Sequence, residues 1–177
     1  MFEIFTFPQF PQNPVFAAYF INVSNQKHIR DRLLAADPAY NYAFVNGDYL
    51  LTLEQVLSAV YKTLLDDSFD RKKSKSVNTE IIYNLSPLKN ILECLKTFGI
   101  TDSPQLLVIK ILNKDDDPET IYSQLQQLVE GTPTQLSDQT LQTYADAARV
   151  RKLFKIQESD LARLSRTLIA NTQLKTL

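Results

Sequence analysis

The stretch Gln105 to Leu112 (QLLVIKIL) is a nearly continuous apolar run, and it sets the first limit on the fold. It falls short of the roughly 20 residues that a membrane-spanning helix needs, and a run of this kind reads as a strand in the middle of a sheet. Val15 to Ile21 (VFAAYFI), rich in aromatic and apolar residues, reads as a buried first strand. Two more strands are expected at Tyr42 to Val45, closed by the turn pair Asn46-Gly47, and at Thr79 to Leu85 (TEIIYNL).

Helices are expected between these strands. Ser24 can cap one in which Ile29, Leu33 and Ala36 share a face, ended by Asp37-Pro38. Thr52 and Gln55 form a capping box that opens the most regular helix, with Leu53, Val56, Leu57, Val60 and Leu64 on one side. Asp66 to Ser76 loses periodicity and is charged, which predicts an exposed loop. Ser86-Pro87 supplies an N-cap and a first-turn proline for a helix burying Ile91, Leu92, Leu95 and Phe98. Gly99 stands where a left-handed residue ends such a helix. Further helices begin at Asp117-Pro118, carrying Ile121, Leu125 and Leu128, and at Ser137, a long one including Leu141, Tyr144 and Ala148. The last begins at Ser159 or Asp160, with Leu161, Leu164, Leu168 and Thr172 on one side. The expected class is α/β bordering α+β: a single domain over residues 1–177, a mixed β-sheet with helices packed around it.

A chain of 177 residues buries roughly 70% of the surface its unfolded form exposes, enough for a real core. The start, MFEIFTFPQF, lacks the basic segment and long apolar run of a secretory signal. A single cysteine cannot make an internal disulfide, which suits a reducing compartment. The expectation is a soluble protein of the nucleus and cytoplasm that stays off the membrane.

Catalytic constellations are sparse. One histidine, His28, provides neither a zinc site nor a Ser-His-Asp arrangement. The three glycines, Gly47, Gly99 and Gly131, are isolated at turn positions and assemble no phosphate-cradling loop. Asp115-Asp116-Asp117 lacks the spaced ligands of a calcium loop and reads as an acidic helix start. Cys94 lies in a helix with nothing nearby to lower its pKa. An enzyme would have to rely on Cys94 or Glu80 alone, so a non-catalytic binding protein, with no cofactor and no metal, is the leading reading. The last helix has no aromatic residue with which to face lipid, which counts against a membrane-surface adaptor.

Several segments resemble the signature of the PRPK-binding protein (TPRKB) family, the small kinase-binding subunit of the KEOPS, or EKC, complex. They are Asn84-Leu85-Ser86-Pro87, Asn90-Ile91, Leu95-Lys96 and Phe98-Gly99-Ile100, with Thr79-Glu80-Ile81-Ile82-Tyr83 ahead of them. Downstream, Val150-Arg151-Lys152-Leu153-Phe154-Lys155-Ile156 resembles a second family element. Asn25, Lys27, Ile29 and Arg30 in the first helix also fit, as does Phe10-Pro11. Lys72 departs from the family's methionine, and Lys75 keeps the charge without arginine's bidentate fork. The resemblance implies a subunit that docks on a small atypical PRPK-type kinase and touches other KEOPS subunits indirectly. It implies support for threonylcarbamoyladenosine modification of tRNA, with contact to the tRNA itself in some relatives.

Two basic clusters bear on that role. The net charge of −1 hides a segregation: the chain from Arg149 onward carries seven basic and two acidic residues. Arg71, Lys72, Lys73 and Lys75 form one cluster, Arg151, Lys152 and Lys155 the other; each reads as a solvated surface or as a contact to an acidic partner or RNA. In the last helix, Leu161, Leu164 and Leu168, widened by Ile169 and Ala170 and rimmed by Arg163 and Arg166, present either a kinase-binding face or a stripe packed on the sheet.

Overall fold

The two apolar runs pair with each other at the centre of the sheet. The computed structural model describes residues 1–155 and 161–174 and, in the second stretch, all side chains except Leu161, Ala162, Leu164, Ser165 and Asn171. In chain order the elements are β1 (Glu3–Phe5), β2 (Val15–Ile21), α1 (Gln26–Leu34), β3 (Ala43–Asn46), α2 (Leu53–Ser68), α3 (Val77–Leu85) and α4 (Ile91–Phe98). There follow β4 (Leu106–Ile111), α5 (Pro118–Leu128), β5 (Thr132–Thr134), α6 (Asp138–Tyr144), α7 (Ala147–Phe154) and α8 (Leu161–Leu174).

The strand order is β1-β2-β4-β3, with β5 also on β2, and every pairing is antiparallel. This corrects the expected mixed sheet, while the α/β class stands. Ala18 lies opposite Val108, and Val108 opposite Phe44. Side chains alternate between faces along each strand. Ala17, Tyr19, Val45, Leu107 and Ile109 join a core with Val56 and Val60 of α2, Ile81 and Leu85 of α3, Leu141 of α6 and Leu168 of α8. Phe16, Ala18, Phe20, Phe44, Leu106 and Val108 join a second core with Ile29 of α1 and with Ile121 and Leu125 of α5. Helices cover both faces, which is why β2 and β4 are apolar except for Lys110 near the end of β4.

Most capping signals act as the residues suggest. Thr52, Asp117 and Ser137 accept from the backbone N–H three residues on, and Gln55 Oε1 also accepts from Leu51 N–H at 2.9 Å. Ser24 does not cap α1; its hydroxyl faces Glu130, and Asn25 uses its amide to tie the chain to Leu128 O at 2.9 Å and Glu130 N at 3.0 Å. Asn90, not Ser86, caps α4.

Four further expectations are corrected. Thr79 to Leu85 belongs to a helix: Val77, Ile81 and Leu85 fall at i, i+4 and i+8, but the β-forming run Ile81-Ile82-Tyr83 reads as a strand and the burial of Glu80 and Asn84 blurs the polar side. The helix expected to run on from Ser137 is two, because Ala145 turns extended and Asp146 caps α7 through Arg149 N–H at 3.1 Å. The loop after α2 starts at Phe69; Asp66 is still helical and pairs with Lys62 at 2.7 Å, both side chains buried. Gly99 is extended (φ −77°), and its lack of a side chain matters for another reason: a Cβ there would sit 2.4 Å from Leu95 O.

Candidate partner-binding surface

Helix α8 lies along α2, tied at its end by Gln173 Nε2 donating to Ser58 O at 3.3 Å. Leu168 and Thr172, one turn apart, point inward and are buried, Leu168 completely. Leu168 is therefore a core residue and not the centre of a free surface; spacing alone does not tell a core stripe from an interface stripe. The side chains of Leu161 and Leu164 lie outside those described. Ile169 is half-buried, while Arg163, Arg166, Ala170, Gln173 and Leu174 are exposed.

Next to this face runs a groove of about 510 Å3 lined by Phe7, Leu53, Leu57, Ser58, Tyr61 and Gln173, with Glu54 and Asp138 at its rim. Leu53, Leu57 and Tyr61 stand at i, i+4 and i+8 on the side of α2 that the sheet leaves uncovered. Tyr61 packs edge-on against Phe7 and Phe10, centroids 5.4 and 5.8 Å away. The sequence stripe placed Leu53 and Leu57 with the core; both remain half-exposed. The available signal was that Tyr61 and Leu65 widen the apolar arc of α2 beyond one contact. Ile169 precedes Gln173, which lines this groove, by one turn on the same side of α8.

A larger groove, about 930 Å3, opens between α1 and α4 with Leu33, Tyr40, Ile82, Leu95 and Ile100 inside. Leu34, 81% exposed, and Leu92, 67% exposed, stand on its lips. Leu92 is thus no part of a buried stripe; α4 packs inward through Cys94 and Phe98, which lie four residues apart.

The basic residues separate into two places. Arg71 lies 3.8 Å from Asp66, its guanidinium 4.8 Å over the ring of Phe69, itself 64% exposed. Lys72 pairs with Asp67, a hydrogen bond that raises the ammonium's pKa. Lys73 and Lys75 are exposed. The loop is pinned by Glu80, whose buried carboxylate accepts from Lys73 N–H at 3.1 Å, Ser74 N–H at 2.8 Å and Ser74 hydroxyl at 2.7 Å. On α7, Lys152 is exposed, Arg151 is half-buried, and Lys155 ends the helix in a left-handed turn (φ 56°). Arg149 bonds Asp48 at 3.2 Å. The first cluster follows the C-terminal end of α2, whereas α7 packs on the 3-10 turn Gly47–Tyr49 just before its N-terminal end. A 16-residue helix puts roughly 24 Å between those ends.

The two residues on which catalysis would depend have structural partners. Cys94 is fully buried and donates its thiol to Leu88 O at 3.2 Å. Glu80 is spent on the loop. Among the described residues no group of three His, Cys, Asp or Glu side chains could hold a metal ion, and no helix is long and apolar enough to cross a membrane.

Residues 20–176 match the protein family described as Kinase binding protein CGI-121. The chain is 35% identical to the EKC/KEOPS complex subunit CGI121 of Candida albicans over 88% of its length and 85% of that protein's. It is 32% identical to the Aspergillus fumigatus subunit of that name, covering 98% of this chain and 96% of the relative. With the Schizosaccharomyces pombe subunit it shares 31% identity, over 95% and 97%.

Proposed function

The chain belongs to the CGI-121 kinase binding protein family, and from that membership we propose that it is the non-catalytic subunit of an EKC/KEOPS complex that docks a small atypical PRPK-type kinase. In that role it supports threonylcarbamoyladenosine modification of tRNA in the nucleus and cytoplasm and reaches the other subunits through the kinase. The observation that carries the reading is a kinase-binding family match spanning almost the whole domain. The structural use of Cys94 and Glu80 supports an accessory role.

The kinase-docking face we favour combines Ile169 and Ala170 of α8 with the groove floored by Leu53, Leu57 and Tyr61. It has an apolar centre and a charged rim of Arg163, Arg166, Glu54 and Asp138, the anatomy of a stable interface. A charge placed in such a centre is costly to desolvate. Ile169→Glu and Leu57→Glu are expected to abolish co-purification with the co-expressed kinase while circular dichroism stays that of the wild type. Retention of the kinase by both folded variants would move the interface elsewhere. The basic clusters at 71–75 and 151–155 serve in this reading as phosphate contacts for tRNA.

A further inference from the structure

Residues 69–76 connect α2 to α3 and owe their conformation to one buried side chain. Glu80 turns back from the first turns of α3 and gathers two backbone N–H groups and one hydroxyl, all from Lys73 and Ser74. The hydroxyl of Ser74 also lies 3.0 Å from Ser76 O, but it has one proton, and the shorter contact to the carboxylate takes it. Ser74 is half-buried, while Arg71, Lys73 and Lys75 around it are exposed.

We propose that Ser74 is a phosphoacceptor for a basophilic serine/threonine kinase, and that phosphorylation there unlatches the loop from Glu80. Arg71 stands three residues before the serine and Lys72 two, the cations that the acidic subsites of such kinases bind by charge-assisted hydrogen bonds. In the transfer, the Ser74 hydroxyl oxygen bonds to the γ-phosphorus of ATP as the bond from that phosphorus to the β-phosphate oxygen breaks. ADP leaves, and the hydroxyl proton passes to the kinase's catalytic carboxylate.

The product cannot keep the present geometry. A phosphoserine carries about −1.5 to −2 charges at neutral pH and no hydroxyl donor, so it would face a buried carboxylate at hydrogen-bonding distance. Repulsion at that distance in a poorly solvated site expels the phosphate toward Arg71, Lys73 and Lys75. Glu80 then loses the Ser74 hydroxyl, and the two N–H groups beside it are drawn out with the loop. The same event cuts the cluster's positive charge by about half, which would turn off a phosphate-binding surface.

The test uses the full chain. Wild type, Ser74→Ala and Ser76→Ala are incubated with the catalytic subunit of a basophilic kinase and ATP, and the site is mapped by mass spectrometry. Phosphate is expected on wild type and Ser76→Ala but not on Ser74→Ala. Hydrogen exchange then reads the latch: the amides of Lys73 and Ser74 are expected to exchange about tenfold faster or more after phosphorylation. Glu80→Gln should give the same acceleration without phosphate, whereas Ser74→Ala, which keeps both N–H donors, should retain most of the protection. No phosphate on Ser74, phosphate on Ser76 alone, or unchanged exchange after modification would each overturn the proposal. None of these readouts depends on kinase docking or tRNA binding, so the proposal can fail without the functional reading failing, and the reverse.

Discussion

The hydroxyl of Tyr19 is enclosed beside Gly47 and Gln105 with no hydrogen-bond partner among the described residues. Burial, reinforced by the charge of Asp48, pushes its ionisation above the ordinary 10.0. Below that pH the phenol is neutral in the folded and unfolded chains alike and adds no pH dependence. Above it the unfolded chain ionises first, so stability falls as pH rises until the folded phenol ionises as well. Tyr19→Phe removes this contribution along with a buried polar atom that no described protein group satisfies. The variant is expected to match or exceed wild type at neutral pH, within about 1 kcal/mol, and to lose less stability between about pH 9 and 11. Urea melts at those pH values check both points. Cys94 makes a different case: its thiol serves packing and one backbone contact, so Cys94→Ala should leave tRNA modification by the assembled complex intact. Loss of modification with a stable Cys94→Ala subunit would restore the thiol as a catalytic group.

Neighbouring positions on α8 should respond in opposite ways. Leu168 is fully enclosed between α2 and the sheet side of the core, so Leu168→Ala is expected to cost about 2–5 kcal/mol of stability, read by denaturant melts. Ile169→Glu, half-exposed one residue on, should cost about 1 kcal/mol or less and act on partner binding instead. That contrast also marks what could be read from the residues alone. Strands β2 and β4 and the caps at Thr52, Asp117 and Ser137 depend on neighbouring residues only, so their signals are local and legible in the amino-acid order. Helix α3 is masked instead: Val77, Ile81 and Leu85 keep a helical spacing, but the β-forming run Ile81-Ile82-Tyr83 and the buried polar pair Glu80 and Asn84 hide it. The outward turn of Leu53 and Leu57 depends on which side of α2 the sheet occupies, a matter of tertiary placement. The role of Glu80 was hidden for a similar reason: its partners, Lys73 and Ser74, come together with it only when the loop folds back over α3. Of the surface, the exposure of Lys73 and Lys75 was legible and the burial of Leu168 was not.

Seen as one body, the molecule carries its two basic clusters at opposite ends of α2, too far apart to share a phosphate. If both touch tRNA, their effects should add. Charge reversal of Lys73 and Lys75, or of Lys152 and Lys155, should each weaken tRNA binding by the assembled complex. Each lost phosphate contact should flatten the log–log salt dependence by about 0.7–0.9, and the combined variant should lose the sum. Filter binding across a salt series measures this, and unchanged affinity in both variants would leave the clusters as solvated surface. The sheet that separates the two cores has a consequence for how the chain comes into being. Ala18 pairs with Val108, so on the ribosome β2 waits for a partner made about 90 residues later, roughly 5–20 seconds at ordinary synthesis rates. Through that interval a strand apolar on both faces has only the three-residue β1 to pair with and neither core to enter. Nascent chains stalled before Leu106 emerges should therefore be protease-sensitive and bound by chaperones, and those stalled after α8 emerges should be neither.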